Sequence, residues 1–283
     1  EIVLRDLNSD KISNPVIGGL IGTMEKETSA ALTFENQFTK ELTIRTTSHT
    51  GLFCNTMAAN ASLTAEFQKD SGAGSIKVET AGAGMDAGGF VGHMERDAGL
   101  KIAGCSVDQV TSDSGNAGGL VGSVTDGSIQ LKEQGTAFSF ADTLTVKAES
   151  KLAAGGLIGY WLVTKGDAVS CNLSDYQFKK LVISGGQDAG GLFGLLENTS
   201  TAKTAISISA NTANTANTAN TMTAEVSGPV TNFGGIIGTY QSDKMNNTLA
   251  VKGESDKAID ASTSGGMNAN TSYGGIIGVI SGN

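Results

Sequence analysis

The chain has 283 residues, with 39 glycines, two prolines, 5% aromatic residues and a formal net charge of −9. So few prolines exclude a collagen-like or proline-rich chain, and 39% hydrophobic residues is too many for wholesale disorder. The acidic balance, with Lys179-Lys180 as the densest basic run, argues against nucleic acid and anionic membrane as partners.

The chain opens at Glu1 rather than Met and shows no basic-plus-apolar secretion signal, which reads as a mature chain or an excised fragment. Its longest apolar stretch, around residues 155–163, is far below the ~18 residues of a membrane helix.

A pentapeptide Gly-Gly-apolar-apolar-Gly then recurs from Gly18–Gly22 to Gly274–Gly278, and Thr50-Gly51-Leu52-Phe53-Cys54 fills the one gap as a degenerate copy. Aligned on the second glycine, the copies fall at Gly19, Gly51, Gly89, Gly119, Gly156, Gly191, Gly235 and Gly275. Their spacings are 32, 38, 30, 37, 35, 44 and 40 residues. Self-similarity at such a period is the signature of a repeat architecture.

Two further strand signals lie between most copies. The first is apolar and short, as in Leu32-Thr33-Phe34, Leu63-Thr64-Ala65, Ile129-Gln130-Leu131 and Ile206-Ser207-Ile208. The second alternates, as in Leu42-Thr43-Ile44-Arg45, Ile76-Lys77-Val78-Glu79, Leu144-Thr145-Val146-Lys147 and Leu181-Val182-Ile183-Ser184. Period two marks a strand with one buried face. No stretch of helical periodicity accompanies them. The pattern predicts an all-β fold, a parallel β-helix (β-solenoid) of about eight coils with three short strands per coil, forming a single domain over 1–283.

Within the motif two adjacent columns are apolar throughout, although adjacent strand residues point to opposite faces. Either loops cover the outer face, or the strand bends so that both residues turn inward. The sequence favours the covered face, because Cys54 stands where a glycine is due and a strict positive-φ site would resist that exchange. The Asn-Thr-Ala run from Asn211 to Thr221 has no apolar anchor, and 198–222 is read as an extended low-complexity loop. The lack of helical caps at both termini predicts a piece of a longer protein, or ends covered by loops or a partner.

The segments Asn116-Ala117-Gly118-Gly119-Leu120-Val121-Gly122-Ser123 and Asp188-Ala189-Gly190-Gly191-Leu192-Phe193-Gly194 resemble the GLUG-type repeats of bacterial surface proteins. Those repeats occur in adhesins and in accessory regions of large secreted peptidases. The resemblance touches about seven residues of each copy; the intervening segments are longer and lack a consistent second motif. It implies an extracellular, cell-surface or secreted location and a non-catalytic role. Adhesion or spacing, with a glycan or protein ligand at the cell exterior and neighbouring domains of a longer chain as partners, is the expected function.

Chemistry-bearing motifs are sparse. His49 and His93 fall one repeat apart in different columns, with no metal-ligand spacing, and no HExxH, GxSxG, P-loop or EF-hand pattern occurs. Cys54, Cys105 and Cys171 form no CxxC and read as small buried hydrophobes. Ser48, Asp86, Asn116, Asp188, Asn232 and Ser272 share a column three before the aligned glycine, which predicts a stacked polar ladder at a coil corner. Calcium on Asp86 and Asn116 is the alternative, weakened because no second acid falls in the next coil. The expected catalytic, cofactor and metal residues are therefore none. The rival is a polysaccharide-cleaving lyase or glycosidase, for which Asp167 and Asp175, with Lys165, Lys179 and Lys180, are the place to look. One tryptophan and four tyrosines are few for a sugar-stacking groove, and Trp161 falls in a mostly apolar column that suits core packing.

Overall fold

The alternating segments form strands because each offers one apolar face. In Ile76–Thr80 the side chains of Ile76, Val78 and Thr80 are buried while Lys77 and Glu79 are partly exposed. In the computed structural model, residues 2–4, 19–131, 138–139, 143–148, 152–165, 169–172, 176–177, 180–200, 205–210, 222–227, 230–242, 248–253, 259–263 and 272–282 are described. Among them there is no helix, and every strand pairing is parallel. Among the described residues no helix is long and apolar enough to cross a membrane.

Four parallel sheets run the length of the stack, with eight, seven, six and eight strands, joined by a small two-stranded pair. One eight-stranded sheet takes the short apolar signals, as Ser29–Asn36, Ser62–Lys69, Gly99–Gly104 and Ser128–Leu131. The seven-stranded sheet takes the alternating signals, as Leu42–Thr46, Ile76–Thr80, Gln109–Ser112 and Leu144–Ala148. Successive copies stand in direct register, Leu63 against Leu100 against Ile129. Each coil closes its core only against its neighbours, as a solenoid does.

The glycine motif supplies two sheets rather than one, so a full coil has four strands where three were expected. Its first half enters the six-stranded sheet, as Ala87–Gly88, Ala117–Gly118 and Asp188–Gly190. Its second half enters the other eight-stranded sheet, as Val91–Met94, Val121–Thr125 and Phe193–Asn198. The chain bends between them at the second glycine and the residue after it. Both apolar columns therefore reach the core: Phe53, Cys54, Phe90, Val91, Leu120 and Val121 are all fully buried. Phe90 stacks on Phe53 with ring centroids 5.2 Å apart and meets Phe67 edge-on at 6.3 Å. The bend, not a covered outer face, accounts for the paired apolar columns.

The bend brings its two limbs into backbone contact, and this is what requires glycine. A Cβ on Gly88 would lie 1.9 Å from the Val91 carbonyl oxygen and 2.6 Å from the Gly122 nitrogen. One on Gly92 would lie 2.4 Å from the Thr50 nitrogen and 2.7 Å from the Asn55 carbonyl oxygen. Neither glycine has a positive φ, so space rather than backbone freedom sets the choice.

The degenerate copy sits one residue away from its sequence alignment. Thr50 bridges Ala87, Cys54 pairs with Val91, Thr56 with His93 and Met57 with Met94. Gly51 is thus the counterpart of Gly88, the first glycine, while Cys54 occupies an apolar position and Asn55 stands at the third. The Asn55 side-chain oxygen accepts hydrogen bonds from the Gly19 and Gly51 amides at 3.1 and 3.4 Å. The argument from Cys54 therefore fails: it never replaced a glycine.

The expected loop at 198–222 contains a strand, Ala205–Ala210, and is bounded by Phe193–Asn198 and Met222–Ser227. The Asn-Thr-Ala run itself lies outside the described residues.

Candidate functional site

The corrected register moves His49, not Ser48, into the polar ladder. The column then runs His49, Asp86, Asn116, Ala153, Asp188, Asn232 and Ser272, each beside the next in adjacent coils. For three successive rungs the side chain accepts the main-chain N–H of the following rung. His49 Nδ1 takes the Asp86 amide at 3.0 Å, Asp86 Oδ1 the Asn116 amide at 2.8 Å, and Asn116 Oδ1 the Ala153 amide at 3.0 Å. Asp86 Oδ1 also accepts Asn116 Nδ2 at 2.9 Å, and Asp188 Oδ1 repeats this with Asn232 Nδ2 at 2.7 Å. Short polar side chains suit this column because each can satisfy backbone groups at a coil corner.

Facing the ladder, across the glycine bend, stands the column Thr56, His93, Ser123, Tyr160, Leu195 and Thr239. The two columns bond directly. Ser123 Oγ donates to Asp86 Oδ2 at 2.5 Å, and Thr239 Oγ1 donates to Asp188 Oδ1. His93 Nδ1 lies 2.7 Å from Ser123 Oγ; since that hydroxyl's proton goes to Asp86, the imidazole is the donor here. Further along, the Tyr160 hydroxyl donates to Glu197 at 2.5 Å, and burial together with that carboxylate raises the phenol's pKa.

The two histidines that sequence spacing kept apart are stacked, with ring centroids 5.0 Å apart and planes 25° from parallel. His49 comes from the ladder of one coil and His93 from the facing column of the next. Asp86, buried, lies beside them, with His49 Nδ1 3.5 Å from its Oδ2. Because His49 Nδ1 accepts the Asp86 amide, that contact is not an ion pair. One ring nitrogen of each histidine and one Asp86 oxygen lie within 4.8 Å of one another. Burial, then the neighbouring His49, pushes the His93 pKa below its ordinary value, which favours the neutral imidazole. The sequence held a signal for this cluster, but reading it needed the one-residue shift at Gly51 and the bend.

The grouping of Ser123, His93 and Asp86 is not a hydrolytic triad. Ser123 is buried and gives its proton to Asp86 directly, with His93 on the hydroxyl's other side. A serine nucleophile needs its proton directed at the imidazole, with the carboxylate beyond the imidazole.

Asp126 makes a second corner. At a φ of 48° its buried carboxylate accepts the Thr164 amide at 2.7 Å, the Thr164 hydroxyl and the Lys165 amide at 3.2 Å. Lys165 itself reaches Asp97 at 2.5 Å. Asp167, Asp175 and Lys179 lie outside the described residues, as does the Lys180 side chain. Trp161 is fully buried, 5.7 Å from Phe193, and belongs to the core. Cys54 is buried and Cys105 partly so; neither is in a disulfide, and burial pushes both thiols up to about 11. The Cys171 side chain is outside the described residues. Comparison with protein-family models, with curated proteins and with solved structures finds no match for this chain.

Proposed function

We propose that the chain is a non-catalytic module of a bacterial surface or secreted protein, serving adhesion or spacing through a glycan or protein ligand outside the cell. The observation that carries this reading is the fate of the buried carboxylates. Asp86, Asp126 and Asp188 each accept hydrogen bonds from residues of a neighbouring coil, so their acceptor capacity holds the stack together. A hydrolase or lyase needs such groups turned toward a cleft and the substrate. A stack of parallel sheets pinned by internal ladders suits a stiff spacer with ligand-presenting loops. The resemblance of the Asn116–Ser123 and Asp188–Gly194 segments to GLUG-type repeats favours the same reading.

Binding to a glycan array and to host-matrix proteins is the test, run beside incubation with acidic and neutral polysaccharides. The reading predicts saturable binding without depolymerisation. Efficient cleavage of any polysaccharide would overturn it and point to the enzyme alternative.

A further inference from the structure

We propose that His49, Asp86 and His93 form a site for one divalent transition-metal ion of the zinc, nickel or copper class, fastening two consecutive coils. Three observations converge on it. The first is distance: one ring nitrogen from each histidine and a carboxylate oxygen lie within 4.8 Å of one another. His49 Nδ1 and Asp86 Oδ2 are 3.5 Å apart. Two ligands bound at about 2.0–2.1 Å to a tetrahedral ion stand about 3.3 Å apart, so the His49–Asp86 pair is already near that spacing, and His93 has to close from within 4.8 Å.

The second is ligand chemistry. Two imidazoles with one carboxylate suit zinc, copper and nickel, whereas calcium and magnesium take oxygen donors. Asp86 supplies one negative charge in a buried setting, and a dication with water in its remaining positions compensates it.

The third is preorganisation. The Asp86 carboxylate is fixed by the Asn116 amide, Asn116 Nδ2 and the Ser123 hydroxyl, at 2.8, 2.9 and 2.5 Å. His93 is held at 2.7 Å by that same Ser123 oxygen, and its ring rests on His49. Outer partners of this kind orient ligands in metal sites. An ion on His49 Nδ1 replaces the hydrogen bond from the Asp86 amide on that lone pair. The entry side is at His49, whose side chain is 25% exposed against 10% for Asp86.

Such an ion would join a ladder residue of one coil to both columns of the next. It lies where the degenerate copy departs from the glycine motif, and strengthens the stack there.

The test exploits the histidine count. The chain has two histidines, so in an untagged protein any imidazole bound to metal is His49 or His93. Zinc is titrated into untagged chain by calorimetry, and the zinc-loaded protein is examined by X-ray absorption. We expect one zinc per chain, a first shell with two imidazole nitrogens, and no displacement by millimolar calcium or magnesium. His49→Ala and His93→Phe, the latter keeping an aromatic ring in the stack, should each weaken binding at least tenfold. A wild-type chain that binds zinc no tighter than the chain carrying both His49→Ala and His93→Phe overturns the proposal. If the variants do not fold, absorption on the wild type decides alone: a shell of oxygens only, or with one imidazole, also overturns it.

Discussion

Alanine at one glycine column has opposite consequences at different heights in the stack. At Gly122, a Cβ would lie 2.6 Å from the Gly92 carbonyl oxygen, 2.8 Å from Asp86 Cβ and 2.9 Å from the Ala87 carbonyl carbon. Non-bonded carbon contacts settle near 3.5–4.0 Å, so the two limbs must part by about 1 Å, and all three obstacles are backbone or Cβ atoms that no rotamer change can move. Overpacking of this kind costs about 1–3 kcal/mol. Parting the limbs also strains the neighbouring hydrogen bond from Ser123 to Asp86, a charged acceptor, whose loss is worth a further ~1.5–3 kcal/mol. The sum is about 2.5–6 kcal/mol. At Gly22, in the same column, a Cβ meets nothing within 4 Å among the described residues, and no positive φ is involved. There alanine should be neutral, or stabilise by about 0.4–1 kcal/mol through the unfolded chain. At roughly 2–4 °C per kcal/mol for a large domain, the two variants should differ in melting temperature by about 10 °C. Urea and thermal unfolding followed by circular dichroism would measure this. Equal midpoints for Gly122→Ala and Gly22→Ala would refute the claim that backbone contact dictates the motif.

Asp86→Ala leaves the Ser123 hydroxyl and the Asn116 amide without their acceptor, and should cost about 2–4 kcal/mol in urea unfolding, with Asp86→Asn recovering part of the loss. In a Cys171→Ser chain, the thiols of Cys54 and Cys105, both pushed up to about 11, should resist alkylation at pH 8 until denaturant is added. Trp161, the only tryptophan and fully buried, should emit at short wavelength and escape iodide quenching; Trp161→Ala should cost about 3–5 kcal/mol.

Much of the stack is legible in the sequence because small side-chain periods carry it. The alternation in Ile76–Thr80 fixes which face is buried, and a shared glycine phase sets which residues lie side by side. What sequence pattern could not show is the bend within the motif. It depends on a close approach between limbs of different coils, such as Gly122 against Asp86 and Ala87, which no local pattern encodes. The degenerate copy misleads for a related reason. Gly51 matches either motif glycine by type, and its inter-coil partners alone identify it as the first. From that slip follows the separation of His49 from the ladder, and hence the missed histidine pair. Trp161 needed no such information, since its column is apolar in nearly every copy.

The central claim is a parallel stack in this register, and engineered disulfides test it most directly. Thr43 pairs with Lys77 and Arg45 with Glu79 in adjacent strands. Neighbouring strands lie ~4.8 Å apart, within the span a disulfide bridges, whereas partners two residues out of register are ~7–8 Å apart. With the three native cysteines replaced by alanine, Thr43→Cys with Lys77→Cys should oxidise completely to an intramolecular disulfide, as should Arg45→Cys with Glu79→Cys. The crossed pairs, Thr43→Cys with Glu79→Cys and Arg45→Cys with Lys77→Cys, should stay reduced, as read by peptide mapping. Disulfides in the crossed pairs and none in the matched ones would mean antiparallel pairing, and would contradict the solenoid.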